Sequence, residues 1–395
     1  MRIESVDLFY LAMPRIDDIG DGSQDMLLVR VTSDNGITGW GESEASPLTS
    51  IASAICPMSH SACHPVCETV QGEEMSDVAD IRRIVAAVRS RSADLLQAAH
   101  TLSGIELALW DLLGKCCNQP VYELLGYHEA LPKVAYASTL FGDNPDATRA
   151  KAAALRSHGF RAVKFGWGPY GRTTVDADAD QVTAARAGLG EEADLLVDAG
   201  TVWVDDVEAA LARVPSLKKE RVLWLEEPFV SGAIDAYAEL SVRCEGSLAL
   251  AGGEGAHDPY LAKHLIDHGA IRFVQIDAGR VGGISEATRV RDHAHRRGVQ
   301  YVNHTFTSNL ALSASLQTFA GSAEDWICEY PVDTSSLARE VAGLAITPDD
   351  EGKIKAPSRP GLGIDIDLDA ARKYVLDVEI RVGNRVLYKT PSLID

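Results

Sequence analysis

Three acidic residues in the second half of the chain close three consecutive apolar runs at one interval. Leu195-Leu196-Val197 ends in Asp198, Val222-Leu223-Trp224-Leu225 in Glu226, and the run from Leu248 to Gly253 in Glu254, with 28 residues from each acid to the next. Capping a helix or pairing with a surface lysine would not require the same spacing twice. Equal spacing on successive strands places the three carboxylates on neighbouring elements at one height, facing one space. Carboxylates brought together without a cation repel and raise one another's pKa. The set therefore fits a hard divalent ion, and all-oxygen ligation favours Mg²⁺ or Mn²⁺.

The next two runs supply a different pair. Phe273-Val274-Gln275-Ile276 ends in Asp277 and Tyr301-Val302-Asn303 in His304, 27 residues apart. A carboxylate beside an imidazole on the adjacent strand fixes its tautomer and raises its basicity for general acid–base work. Trp326-Ile327-Cys328 closes with Glu329, and Arg161-Ala162-Val163 with Lys164.

Holding such groups at strand ends requires a particular scaffold. Short apolar runs begin near Val134, Arg161, Ala193, Arg221, Leu248, Ile271, Val299 and Trp326, 23 to 32 residues apart, and all but the last are followed by a helix-length segment. Strands alternating with helices argue for βαβ units, and eight of them for a closed (β/α) barrel, whose catalytic groups sit at the C-terminal strand ends. Upstream, Ile3–Leu11, Met26–Val31 and Ile37–Trp40 read as a β-meander turning at Ser33-Asp34-Asn35-Gly36. Helical spacing then covers Ser76–Arg91 and Asp94–Leu113, with Gly114 as the expected stop. The expected division is an α+β N-terminal capping domain over 1–130, a barrel over 131–335 and a segment over 336–395 that returns to complete the capping domain.

Taken together, these residues resemble the enolase superfamily in its mandelate racemase-like branch. The resemblance is carried by SDNGITGWGES (33–43), SGIELALWDLLGK (103–115), AVKFG (162–166), LLVDAG (195–200), LWLEEP (223–228), LAGGE (250–254), VQIDAGRVGGI (274–284), VNHTF (302–306) and PGLGI (360–364). It implies an enolase-type modified TIM barrel whose capping domain closes the mouth and selects the substrate. It also implies Asp198, Glu226 and Glu254 as Mg²⁺ ligands, His304 with Asp277 as the acid–base dyad, Glu329 at the substrate carboxylate and Lys164 as a cation nearby. Members of that superfamily remove a proton α to a carboxylate with a Lys or His base and Mg²⁺. The implied activity is a lyase of carbohydrate acid catabolism: a dehydratase turning an aldonate or aldarate into a 2-keto-3-deoxy acid. A cycloisomerase or epimerase on a related carboxylate, or an inactive carboxylate-binding relative, are the alternatives.

Two departures from the branch bear on the reaction. Its second strand typically carries Lys-x-Lys, whereas here the order is Lys164-Phe165-Gly166, so the base opposite the histidine is missing. Elimination is favoured over inversion, with either His304 or Lys164 as the abstracting base. Gly200 stands where an asparagine is common, which removes an expected sugar-hydroxyl contact.

Rival signals are weaker. Gly166-Trp167-Gly168-Pro169-Tyr170-Gly171 is a literal GxGxxG, but helical pattern resumes only near Asp176, too late for a dinucleotide fingerprint. Cys56, His60, Cys63, His64 and Cys67 crowd one segment at spacings unlike a standard zinc site. A formal charge of −20 over 395 residues repels phosphate backbones and anionic lipid, so neither nucleic acid nor membrane is the expected partner. Seven cysteines, an odd number, and an N-terminus without signal-peptide character lead us to expect a cytoplasmic protein. The resemblance implies a small acid sugar as its partner, and a homo-oligomer is expected.

Overall fold

The computed structural model describes residues 1–44, 46–343 and 345–394. The chain opens with an antiparallel sheet of β1 (Ile3–Ala12), β2 (Asp25–Ser33) and β3 (Thr38–Ser43), in that order. Asn35-Gly36 turns β2 into β3, with Gly36 at φ 80° and the Asn35 side chain accepting from Ser33 Oγ at 2.6 Å. Asp77 caps the helix Val78–Arg91 by accepting from the amides of Ala79 and Asp80.

The helix Ala98–Cys117 lies on the sheet at a distance that only glycine permits. A Cβ on Gly39 would stand 2.1 Å from the Ala108 carbonyl oxygen, and one on Gly41 2.1 Å from that of Gly104. This helix begins after Gln97 rather than at Asp94, and it runs through Gly114 instead of stopping there. Gly114 serves packing: a Cβ on it would meet Gly361 Cα at 2.6 Å. The helix ends at Asn118, which takes the left-handed conformation at φ 54°.

Eight parallel strands follow: β4 (Lys133–Leu140), β5 (Ala162–Gly166), β6 (Asp194–Asp198), β7 (Val222–Glu226), β8 (Ala249–Gly252), β9 (Phe273–Ile276), β10 (Gln300–Asn303) and β11 (Ile327–Pro331). They pair in sequence order, with β11 returning to β4, so the (β/α) barrel read from the eight apolar runs is the observed architecture. The seam between β10 and β11 is closed by a side chain. Asn303 Oδ1 accepts from the Glu329 amide at 2.9 Å and its Nδ2 donates to the Glu329 carbonyl at 3.4 Å.

One inward residue from each strand fills the barrel: Tyr136, Ala162, Leu196, Trp224, Ala251, Phe273, Val302 and Ile327 form a separate buried cluster. Bulky rings on β4, β7 and β9 meet alanines on β5 and β8, with Tyr136 edge-on to Trp224 at 5.5 Å and Trp224 against Phe273 at 4.7 Å. This layer is the floor on which the site stands.

Beyond the barrel, Lys353–Ile354 pairs antiparallel with β4. The chain then reaches the N-terminal sheet, where the amide of Leu376 donates to Tyr10 O, Tyr388 Oη donates to Leu8 O and Arg30 Nη1 donates to Leu393 O. Among the described residues no helix is long and apolar enough to cross a membrane.

The helix-on-sheet contact sets a stability test. Both atoms that a Gly41 side chain would strike are backbone, so they cannot rotate away. Gly41→Ala should cost about 2 kcal/mol or more in denaturant unfolding. A midpoint equal to wild type would show that helix and sheet are not locked at this distance.

Candidate active site

Because side chains alternate along a strand, the residue two places beyond each floor residue also faces inward, one layer higher. On β4 to β11 these are Ser138, Lys164, Asp198, Glu226, Gly253, Gln275, His304 and Glu329. Five ionisable groups therefore share one layer by parity alone. Asp198 and Glu226 are direct partners across β6 and β7. Glu254 falls one residue out of phase, because β8 ends at Gly252 and Gly253 turns the chain at φ 124°. The equal spacing thus places two of the three acids at one level, and a glycine turn brings in the third.

On one side stands the imidazole. His304 Nδ1 and Asp277 Oδ2 are 2.8 Å apart, and Nε2 lies 3.1 Å from Glu254 Oε2. Nδ1–H donating to Asp277 leaves Nε2 as the atom that can exchange a proton at the mouth. Burial alone would lower the His304 pKa, but Glu254, Glu329 and Glu44 outweigh it and hold the pKa well above the usual histidine value. Asp277 is held well below the carboxylate range: burial opposes this, but the bond to His304 and the charges of His304 and Arg280 prevail. Glu44, just past β3, reaches in from the N-terminal sheet and bonds Arg280. Burial lifts the Glu44 pKa to about 8 despite that guanidinium.

On the other side, Lys164 Nζ bonds Glu226 Oε1, lies 2.7 Å from Glu329 Oε1 and 3.8 Å from Asp198 Oδ2. Glu226 Oε2 accepts from Trp224 Nε1 at 3.0 Å, and Glu329 Oε2 accepts from the Thr305 amide at 2.7 Å. The Asp198 pKa rises well above the ordinary value through burial and the neighbouring Glu226 charge. Glu226 is raised by burial against the pull of Lys164, and burial with the charge of Glu254 lifts Glu227 to about 8. Glu254 runs the other way: burial would raise it, but His304 and Arg280 hold it below its usual value.

In all, six carboxyls (Glu44, Asp198, Glu226, Glu254, Asp277 and Glu329) stand around three cationic side chains, Lys164, Arg280 and His304, with a seventh, Glu227, close enough to feel the charges of Glu254 and Glu226. That excess of buried carboxyls over cations, several of them with raised pKa, fits a site built for a further hard cation that would let them ionise. Two groupings could hold one. Glu44, Asp277 and His304 each offer an atom within 4.8 Å of the others and are, among the described residues, the group that meets this limit. Yet His304 and Asp277 already satisfy one another, and Arg280 already neutralises Glu44. The oxygens of Asp198, Glu226 and Glu254 are less tightly drawn together, with Lys164 standing against the first two.

The space above them is a cavity of about 240 Å³ reaching up to Ile19–Gly22 of the N-terminal unit. Lys164, Asp198, Glu254 and His304 line it, whereas Glu226, Asp277 and Glu329 are not part of its lining. Sequence reasoning passed over Glu44, Arg280 and Trp167, all of which line the cavity. Arg280 stands inside the quoted 274–284 segment and Glu44 directly after 33–43, but their roles need the N-terminal unit docked on the barrel.

The rival motifs find no support. After Gly166–Gly171 the helix begins at Val175, capped by Thr174, so no helix N-terminus lies among the glycines. In the 56–67 segment His60 Nδ1 accepts from the Ala62 amide and His64 Nδ1 bonds Arg91. Among the described residues no metal-type grouping forms there.

Comparison with known proteins agrees with this architecture. The profile described as "Mandelate racemase / muconate lactonizing enzyme, N-terminal domain" matches residues 19–126, and "Enolase C-terminal domain-like" matches residues 147–371. A D-galactarolactone cycloisomerase of Agrobacterium fabrum is 28% identical over 363 residues, covering 88% of this chain and 90% of its own. A D-galactonate dehydratase of Ralstonia pickettii is 28% identical over 357 residues, covering 86% and 88%. The crystal structure of a predicted mandelate racemase from Rhodobacter sphaeroides superposes with a TM-score of 0.93 at 55% identity, covering 99% of this chain and all of its own. The chain belongs to the enolase superfamily of enzymes, in its mandelate racemase-like branch.

Proposed function

We propose that the protein is a Mg²⁺-dependent dehydratase of an acid sugar, an aldonate or aldarate, which yields a 2-keto-3-deoxy acid. The observation that carries this reading is a single strand-end base. His304 presents Nε2 to the cavity with Nδ1 anchored on Asp277, while the opposite face offers Gly166 where a second lysine would stand. A Cβ at Gly166 would itself lie 2.8 Å from Asp198 Cβ, so the position takes no larger residue without displacing that acid.

Asp198, Glu226 and Glu254 are the residues that would hold the ion, with Mn²⁺ as a substitute. When bound, the ion supplies positive charge beside the substrate carboxylate, where negative charge grows as the α-proton leaves. Lys164 adds a second positive charge on that side and is kept in place by Glu226 and Glu329. Both Lys164 and His304 are engaged by carboxylates; His304 is assigned as the base because Asp277 fixes Nδ1 and leaves Nε2 at the cavity, and Lys164 is assigned as the cation. His304 Nε2 takes the α-proton, the electron pair of the broken C–H bond forms the C=C bond, and the β-C–O bond breaks. The leaving hydroxyl accepts the proton from His304 and departs as water, and the enol becomes the keto acid. Asp277 keeps the imidazole in one tautomer throughout.

The cycloisomerase seen among the relatives provides the second reading: the same proton removal, with the departing oxygen part of a ring. An inactive carboxylate-binding relative is the third, and any Mg²⁺-dependent turnover of a sugar acid dismisses it.

Two experiments test the roles. Substrate incubated in D₂O with enzyme and Mg²⁺ should give the dehydrated keto acid, and His304→Asn should lose both that product and α-proton exchange. Exchange surviving in His304→Asn would make Lys164 the abstracting base, and epimerised substrate without dehydration would reveal a second base opposite His304. Glu226→Gln should abolish turnover, by about 10³-fold or more, with circular dichroism unchanged. Wild-type turnover in excess EDTA would defeat the metal assignment.

A further inference from the structure

The proton-transfer pair does not end at Asp277. Both oxygens of that carboxylate are met by N–H groups: Oδ2 faces His304 Nδ1 at 2.8 Å, and Oδ1 accepts from the Gly279 amide at 2.6 Å. A third carboxyl, that of Glu44, stands in the same cluster, with one atom from each of Glu44, Asp277 and His304 within 4.8 Å of the others. The two Glu44 oxygens are placed differently. Oε1 accepts from Arg280 Nη2, whereas Oε2 is buried and no donor among the described residues reaches it. Oε2 lies 3.8 Å from His304 Nδ1, too far for a hydrogen bond, while the Glu44 carboxyl is within hydrogen-bonding reach of Asp277.

Two carboxyls in that contact hold a proton between them, because an ionised carboxylate cannot donate and two buried anions side by side repel. Hydrogen-bond accounting says which of them carries it. Asp277 has an N–H at each oxygen and is the anion, whereas Glu44 Oε2 has no donor to answer a negative charge and is the O–H. Burial, which lifts the Glu44 pKa to about 8, acts in the same direction. The Glu44 O–H then donates to Asp277, and the Arg280 guanidinium that bonds the other Glu44 oxygen also sets its charge against Asp277 and Glu254.

The chain seats Glu44 from several directions. It follows β3 directly and is buried, and its carbonyl accepts from His100 Nε2 at 2.5 Å, on the helix Ala98–Cys117. Two glycines leave room for it: a Cβ on Gly22 would stand 2.8 Å from Oε1, and one on Gly279 3.3 Å from the Glu44 amide nitrogen. Gly22 belongs to the N-terminal unit and Gly279 to the turn after β9, so the residue sits where the two units meet.

We propose that Glu44 is a positioning residue for the base: its O–H holds Asp277 in the orientation that anchors His304 Nδ1, so that the working base is assembled from both units. This rests on the reading of His304 as the α-proton base and extends it. The role is that of a neutral donor, so glutamine, which keeps an N–H at the same reach, should replace Glu44, and an apolar side chain should not.

The test reads His304 in the Mg²⁺-loaded protein, independently of turnover. With isotope-labelled histidine, and His304→Asn to identify the signal, NMR follows the downfield proton of the Nδ1–Asp277 hydrogen bond. Wild type and Glu44→Gln should both show it. Glu44→Met, or Glu44→Ala should circular dichroism find the first unfolded, should lose it while Mg²⁺ binding is kept. With D-galactonate and galactarate as probes in D₂O, the same variant should lower saturated α-proton exchange by about tenfold or more and change KM less than about threefold. Glu44→Gln losing the signal would make the role one of charge against Arg280, and a signal that persists in the apolar variant would leave Glu44 without a role. Mg²⁺ binding lost in that variant would put Glu44 among the metal ligands, and any of these three results overturns the proposal. The expected NMR changes without exchange of either probe would instead count against the acid-sugar reading and leave the positioning of Asp277 and His304 standing.

Discussion

The mouth of this barrel holds more buried carboxyls than cations to pair them, and much of the surrounding structure follows from that imbalance. Burying one unpaired carboxylate is costly, and burying several side by side is costlier because each opposes the ionisation of the next. Lys164 stands among three of them and Arg280 among three others. Even so, Asp198, Glu226, Glu227 and Glu44 all remain raised above their ordinary pKa values. A fold retains such a cost where it serves binding or catalysis. The two sides meet at Glu254, which His304, Arg280 and Lys164 all draw down, whereas the cation that acts on Asp198 is Lys164.

The N-terminal unit is part of the same electrostatic arrangement. Its β3 ends at the mouth and delivers Glu44 onto Arg280, while Glu42 accepts from Ser308 Oγ at the start of the helix Asn309–Gln317. Further back, Glu106 accepts from the amides of Ile284 and Ser285 at 2.7 and 2.9 Å, placing a carboxylate on the N-terminus of the helix Ile284–Arg297. Three acids of the N-terminal unit thus dock onto groups just beyond β9 and β10, the strands that carry Asp277 and His304. Movement of the two parts against each other would disturb the dyad directly.

Much of this was legible in the sequence because the barrel writes its pattern twice. Apolar runs give the strands, and the polar residue that ends each run gives the layer above the core. Leu196 and Asp198, Trp224 and Glu226, Val302 and His304 are each two residues apart, so the floor and the working layer are one alternation read twice. Glu254 strayed because Gly253 turns the strand end, a backbone event that a count of residues does not reveal. Gly114 misled for a related reason: as a small residue it marks either a stop or a close approach, and the contact with Gly361 comes from 247 positions along the chain. Glu44 and Arg280 stayed hidden because their meaning is mutual, arising only where the two units meet. Trp167 was visible only as part of a weak glycine pattern, whose real use is space for an indole and for Asp198.

The central claim, that the excess carboxylate charge of Asp198, Glu226 and Glu254 is a cation site, is tested most directly by titrating metal-free protein with Mg²⁺ in a calorimeter. Wild type should bind one ion per chain, Asp198→Asn should lose it, and Glu44→Gln should keep it. Absence of binding in wild type, or binding lost in Glu44→Gln and kept in Asp198→Asn, would contradict the account and move the cation to the Glu44, Asp277 and His304 group.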